Sequence, residues 1–283
     1  MTHTGHKIGF IGQGYIGKNM ADDYEERGYE VVRYSLEDEF LVNKNNIATC
    51  DIVFIAVPTP TNAQGSDHSI VTDSVGLVGD GAIAVIKSTI LPGSARLIQD
   101  MYPKKTVLFS PEFLSKNTAV HDAKNPMCNV IGVMDTEDAT LAKIAALVHQ
   151  TLPKSPKVFT VSAEAAEHFK YIHNVHGFIR IVASNLFYDM AEKVGAQWDE
   201  LQPMIDADPM MSPYYNQPIH KSGRGAGGCC FIKDFAAFRM MYEQLRPEDT
   251  LGIELLQVLE KKNLALLQET GKDTDIVAEI YPG

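Results

Sequence analysis

The residues best suited to chemistry near the start of the chain are three glycines. Gly12-Gln13-Gly14-Tyr15-Ile16-Gly17 follows a short apolar run and precedes a helix-compatible stretch, Lys18 to Arg27. Glycines at these spacings serve a tight turn, the close approach of backbone to a pyrophosphate, and helix-on-strand contact, with the helix N-terminus facing the phosphates. A lone GxGxxG is weak, but one placed between strand and helix points to a dinucleotide. Gly12, Gly14 and Gly17, with Tyr15 and Ile16 between them, are the expected cofactor contacts. The second strand ends Val31-Val32-Arg33-Tyr34-Ser35, and Ser35 stands where an acidic residue usually holds the ribose hydroxyls. Arg33 would suit a 2′-phosphate, whereas Glu37, Asp38 and Glu39 would repel one, so NAD is expected over NADP.

The elements that must position these groups are legible as short apolar runs: Lys7–Gly12, Glu30–Tyr34, Asp51–Val57, Ala82–Lys87, Thr106–Phe109 and Cys128–Met134. Runs apolar on both faces suit a parallel sheet covered by helices, a Rossmann-type doubly wound α/β fold. After Val161 the pattern turns helical. Ser162 can cap a long helix running to Val194, with Gly177 a tolerable interruption. Helical stretches follow at Gln197–Ala207, Asp234–Leu245 and Leu251–Thr270, with a Pro/Tyr/Asn/Gly-rich loop from Asp208 to Gly228 and a loosely ordered tail from Gly271. This predicts a dinucleotide-binding domain over residues 1–160 and a helical domain, catalytic and dimerising, over residues 161–283.

A chain of 283 residues with 36 acidic and 25 basic side chains carries a net charge of −11, and no basic run could track a phosphate backbone. Nucleic acid is not an expected partner. The first apolar run is too short for a signal sequence or a membrane span, so the protein is expected to be cytoplasmic. Cys50, Cys128, Cys229 and Cys230 lack disulfide-framework or zinc spacing, and neighbours such as Cys229 and Cys230 pair only in a strained ring. His168, His173 and His176 do not reproduce a metal-helix spacing, and no metal is expected.

Further segments resemble the UDP-glucose/GDP-mannose dehydrogenase family. They are Val53-Phe54-Ile55-Ala56-Val57-Pro58-Thr59-Pro60, Lys87-Ser88-Thr89 with Pro92-Gly93, Ser110-Pro111-Glu112-Phe113-Leu114, and Ala166-Glu167-His168-Phe169-Lys170-Tyr171 continuing to Asn174. Gly227-Gly228-Cys229-Cys230-Phe231-Ile232-Lys233-Asp234 is similar to the family's catalytic-cysteine signature. The resemblance implies oxidation of the C6 alcohol of a nucleotide sugar to a carboxylate, with two NAD and a thioester. By motif, Cys230 is the nucleophile, Lys170 and Asn174 stabilise the oxyanion, Asp234 positions water and lysine, and Glu112 and Thr89 assist proton transfer. Val57, Pro58, Thr59, Ser88 and Thr89 join the cofactor contacts.

The residue types suit these roles. Lys170 and Asn174, four apart on a helix, point from one face, where positioned donors can stabilise developing negative charge. A thiol must ionise to attack an aldehyde, and Lys233, Lys170 and a helix N-terminus following the cysteine would favour the thiolate. Taken singly, a cysteine is usually an inert small hydrophobe and a helix lysine a solvated one. Their joint match is what lifts them.

Departures from the family bear on substrate. Nothing after about Thr270 matches the family's C-terminal domain, which is expected to be absent. Lys116 stands where a second glutamate is common, Ile232 replaces a proline, Met210 an arginine, and Cys229 a small polar or aromatic residue. The expected substrate is a nucleotide sugar, UDP-glucose by default. Two alternatives stay open: a two-electron dehydrogenase of the 3-hydroxyacid type, which needs no thiol, and a non-catalytic NAD or nucleotide-sugar binding module. Phe169, Ile172, Phe178, Ile181, Val182, Leu186 and Phe187 put apolar surface on more than one face of the long helix, which predicts a homodimer.

Overall fold

Alternation along the apolar runs sets the first layer of structure. In the computed structural model, which describes residues 5–62, 65–211 and 214–281, seven strands form one sheet. They are β1 (Lys7–Ile11), β2 (Glu30–Tyr34), β3 (Ile52–Ile55), β4 (Ile83–Ile86), β5 (Thr106–Phe109), β6 (Asn129–Val133) and β7 (Val158–Ser162). Their order is β2-β1-β3-β4-β5-β6-β7. The sheet is parallel through β5; β6 pairs antiparallel to β5 through Phe109 and Gly132, and β7 runs parallel to β6. Chain direction across the sheet switches between β1 and β3, the place where open α/β sheets carry their ligands.

Successive residues of a strand face opposite sides, and here both sides are covered. Ile8, Phe10, Ile52, Phe54, Val85 and Leu108 pack with Met20 and Tyr24 of α1 (Tyr15–Glu26). Ile11, Val53, Ile55, Ile86 and Phe109 fill the core on the other side with Val71 and Val75. The remaining helices of this unit are α2 (Asp38–Leu41), α3 (Ser69–Gly76), α4 (Ser94–Met101), α5 (Ala119–Lys124) and α6 (Ala139–Thr151). Strand β7 escapes the six-run reading because it lies at the sheet edge with Val158, Phe159 and Thr160 exposed, so no buried run marks it.

The chain divides into two compact units, one of residues 1–59 and 67–170, the other of residues 60–66 and 171–283. Helix α7 (Ala163–Val194) is continuous past Gly177, and Ser162 Oγ accepts the Ala165 amide at its start, as a capping serine should. Its first eight residues belong to the first unit and the rest to the second.

The second unit contains the hairpin Thr61–Asn62/Gly65–Ser66, α8 (Trp198–Ala207), the hairpin Ile219–His220/Gly223–Arg224, α9 (Cys229–Leu245), α10 (Thr250–Thr270) and α11 (Thr274–Ile280). Phe178 stacks on Phe235 at 3.8 Å between ring centroids, inside a core with Val175, Val182, Ala226 and Leu256. Two expectations are corrected here. Helix α9 starts at Cys229, not Asp234, because the Ile232 amide donates to Gly228 O at 3.3 Å and carries helical bonding back through the cysteine pair. Through residue 281 the tail after Gly271 is ordered: α11 buries Ile280 against Ile232, Ala236 and Leu267. Among the described residues, no helix is long and apolar enough to cross a membrane.

Candidate active site

The first unit carries the glycine turn. Gly12 has φ +93°, and a Cβ there would stand 2.2 Å from Ala56 O; a Cβ on Gly17 would stand 1.9 Å from Gly12 O. Neither position can hold a side chain. Gly14 precedes α1 with no side-chain cap and nothing within 4 Å of an added Cβ. The first amides of α1, lead by Tyr15, Ile16 and Gly17, have no intrahelical partner by helix geometry. The turn is therefore bare backbone with open space over a helix N-terminus, which fits a pyrophosphate.

At the end of β2, Ser35 Oγ accepts the Glu37 amide at 3.2 Å. Arg33 is engaged by two acids: burial would lower it, but its pairs with Asp22 and Glu25, each at 2.7 Å, outweigh that and raise it above the ordinary guanidinium value. The adjoining cleft of about 530 Å³ is lined by Gln13, Lys18, Asp22, Glu25, Arg33, Glu37, Glu39 and Phe40, with acids outnumbering bases. Past β3, Ser88 Oγ accepts the Val57 amide at 2.9 Å and donates to Val57 O at 2.7 Å. That pins Val57 at the head of the Val57-Pro58-Thr59 segment; Thr59 is buried, Pro58 exposed and Thr89 half-buried.

The same unit gathers Glu112, Lys87 and Lys170. Lys170 Nζ donates to Glu112 O at 2.5 Å and lies 5.1 Å from the centre of the Phe113 ring. The Glu112 carboxylate accepts the Phe113 amide at 2.7 Å and faces Lys87 Nζ at 3.3 Å. Lys87 is buried and also donates to Ser110 Oγ at 3.1 Å. Lys87 lies within the Lys87-Ser88-Thr89 motif, which assigns it no role. The available signal was a lysine directly ending the wholly buried strand β4.

Glu167 was also missed. Wholly buried on α7, it accepts the Gly93 amide at 2.6 Å and the Ala95 amide at 2.7 Å, so its carboxylate caps α4. Burial pushes it up to about 7 against the pull of those two amides. Partners more than 70 residues away leave no local sequence signal.

In the second unit, Asn174 Nδ2 donates to Asp234 Oδ2 at 2.5 Å, and Lys233 Nζ bonds Asp234 Oδ1 at 2.5 Å. Burial pulls Lys233 down, yet the Asp234 carboxylate beside it outweighs that and raises it. An amide has two hydrogens, so the bond to Asp234 uses one of those Asn174 could offer an oxyanion. Helix α7 sets Lys170 and Asn174 one turn apart, as their spacing requires.

Cys229 and Cys230 open α9, both solvent-exposed, with Gly228 before them at φ +80°. The helix terminus lies at the thiols rather than after them, and its dipole favours an anion there. Partial desolvation raises Cys229 above the ordinary thiol value, open as the residue is, despite the opposing pull of Lys233. Among the described residues, no group of three or more His, Cys, Asp or Glu is placed to hold a metal ion.

Residues 24–152 match the model of the UDP-glucose/GDP-mannose dehydrogenase family, NAD binding domain, and residues 164–263 match that family's central domain. The chain belongs to this family. Its first unit is the NAD-binding part, and the glycine turn fits that cofactor. The chain is similar to a UDP-glucose 6-dehydrogenase of Rickettsia prowazekii, 30% identical over 243 residues that make up 81% of this chain and 54% of the relative. It thus spans about half the length of that curated relative. Among solved structures it is similar in fold to a UDP-glucose dehydrogenase from Pyrobaculum islandicum, with TM-score 0.76, 24% identity, and coverage of 93% of this chain and 68% of the other. A Mycobacterium tuberculosis 3-hydroxyisobutyrate dehydrogenase matches with TM-score 0.70 and 15% identity over 98% of each chain. At these identities the structural matches establish the fold alone.

Proposed function

We propose that the protein oxidises the C6 alcohol of a nucleotide sugar, UDP-glucose by default, to the carboxylate through a covalent adduct on Cys230. Residues 1–160 serve NAD and residues 161–283 serve the thiol chemistry and dimerisation. Held over the glycine turn of Gly12, Gly14 and Gly17, NAD would supply the hydride acceptor for each of the two oxidations. Glu112 and Thr89 assist removal of the alcohol proton. The Cys230 thiolate adds its electron pair to the aldehyde carbon, giving a thiohemiacetal whose oxygen Lys170 and Asn174 stabilise. Its oxidation leaves a thioester. Water positioned with Asp234 then adds to the acyl carbon, the C–S bond breaks, and the acid leaves as the thiol is restored.

The observation that carries this reading is the second-unit cluster: two thiols at a helix N-terminus, with Lys233 paired to the buried Asp234 one turn on and Asn174 bound to Asp234. A two-electron oxidation of the 3-hydroxyacid type has in its favour the end-to-end fold match to the hydroxyisobutyrate enzyme, but has no use for the thiol. The test is the number of NADH formed per sugar consumed across a panel of UDP- and GDP-sugars. Two supports the proposal, one the hydroxyacid-type reaction, and none a binding module.

We further infer a cytoplasmic homodimer. Leu186, Phe187, Met190 and Val194 leave an exposed apolar strip along the later part of α7, which a second copy would cover. A monomeric mass by light scattering at micromolar concentration would refute the dimer.

A further inference from the structure

The glycine-rich segment that leads into Cys230 is held, backbone group by backbone group, by side chains from the end of α10 and the turn after it. Thr270 Oγ1 accepts the Arg224 amide at 3.1 Å. Lys272 Nζ donates to Gly225 O at 2.9 Å and to Gly223 O at 3.3 Å. Asn263 grips both sides of one residue, accepting the Ala226 amide at 2.7 Å and donating to Ala226 O at 3.0 Å. Asp273 Oδ2 accepts the Gly228 amide at 2.7 Å.

Lys272 and Asn263 are buried polar groups whose side-chain bonds among the described residues go into this segment, and burying such groups is costly unless they are satisfied. The clamp also accounts for the glycine pair. A Cβ on Gly227 would lie 2.1 Å from Asp273 Oδ2 and 2.7 Å from Lys272 Cε, while Gly228 has φ +80°. Asp273 itself sits at φ +52°, in the left-handed region that Asp, Asn and Gly tolerate best.

We infer that Asp273, supported by Lys272, is a positioning residue for Cys230: it fixes Gly228, from which α9 starts, and so fixes the direction in which the thiol two residues on is presented. The inference rests on the proposal that Cys230 is the nucleophile. It gives the turn after α10 a part in the chemistry without contact with substrate.

The test uses the full chain and two variants. Asp273→Gly removes the carboxylate while keeping the left-handed backbone, and Asp273→Asn restores an acceptor for the Gly228 amide. Two readouts are taken: the rate of Cys230 alkylation by iodoacetamide against pH, in a Cys229→Ser background, and kcat and KM for acid formation from UDP-glucose. Asp273→Gly should slow Cys230 alkylation across the pH range and lower kcat by about 100-fold, the scale of a misplaced reacting group, with KM little changed. Asp273→Asn should recover most of both. A wild-type alkylation profile and kcat in Asp273→Gly would overturn the inference. So would a loss that Asp273→Asn does not recover, or unfolding of Asp273→Gly, which would make the clamp a stability element only. Cys230→Ser in the same assay separates the two ideas. Acid formed by it at the wild-type rate removes the nucleophile itself, whereas an inactive Cys230→Ser beside an unaffected Asp273→Gly removes only the positioning role.

Discussion

Asn174 on α7 and Asp234 on α9 are joined by a 2.5 Å hydrogen bond between side chains that solvent hardly reaches. Lys233 takes the second carboxylate oxygen, so one carboxylate answers both an amide and a cation. Removing one partner from a buried ion pair leaves the other uncompensated, at a cost of about 3–5 kcal/mol. Asp234→Asn should therefore lower unfolding stability by about that much in urea titration, while Asn174→Ala should cost about 1–3 kcal/mol, the penalty of one unmet buried bond. A loss below 1 kcal/mol in Asp234→Asn would mean that Lys233 reaches solvent when its partner is removed.

The glycine turn separates folding from binding. Gly12→Ala and Gly17→Ala each drive a methyl onto backbone oxygen, and Gly12 also needs φ +93°, so both should lose about 1–3 kcal/mol or more. Gly14→Ala meets nothing within 4 Å and has an ordinary φ of −68°, so stability should change by no more than about 0.5 kcal/mol. Its methyl would still stand over the helix N-terminus, where the pyrophosphate approaches. NAD affinity should fall at least about tenfold, equivalent to about 1.4 kcal/mol. Thermal melts with and without NAD distinguish the three variants, and an unchanged NAD affinity in Gly14→Ala would place the phosphates elsewhere.

What the sequence made legible follows from how locally each feature is encoded. Strands β1 and β3 to β6 are buried and announce themselves as apolar runs, half-buried β2 at one sheet edge still reads as Val31-Val32 before Tyr34, and the glycine turn is specified within six residues. Strand β7 hides at the sheet edge, where burial imposes no pattern. The start of α9 was misplaced because glycines and a cysteine pair resemble a loop. Only the Ile232 amide, where the family commonly has a proline without one, shows that the helix reaches back to Cys229. Glu167 and Asp273 were invisible for another reason: each acts on backbone amides 45 or more residues away, and a backbone amide has no sequence identity.

Glu167 predicts a pH dependence. Burial raises it from the ordinary 4.5 to about 7, so between those values the native state holds a proton that the unfolded chain has released. Its contribution to stability is complete below about 4.5 and is lost as pH rises through 7, with a slope of at most about 1.4 kcal/mol per pH unit. Glu167→Gln cannot titrate. The stability of wild type relative to Glu167→Gln should therefore fall between pH 5 and 7 and level off above. A flat or rising difference would show that the two amides at the start of α4 outweigh burial.

The cysteine pair gives the sharpest test of mechanism. Both thiols sit in the first turn of α9, and partial desolvation raises Cys229 above the ordinary thiol value. By register, the motif's cysteine is four residues before Asp234, which is Cys230. Cys230→Ser should permit part of the first oxidation, because converting an alcohol to an aldehyde needs a base and a positioned nicotinamide but no thiol. It should block net formation of acid, since a serine hydroxyl ionises far less readily than a thiol, and turnover should drop by several orders of magnitude. Cys229→Ser should do much less. The measurement is NADH and acid formed per UDP-glucose consumed by each variant. Equal damage from the two substitutions would mean that the register is misassigned or that the pair acts together. Undiminished acid formation by Cys230→Ser would remove the covalent route, leaving one hydride per turnover and the hydroxyacid-type dehydrogenase as the better account of Lys170 and Asn174.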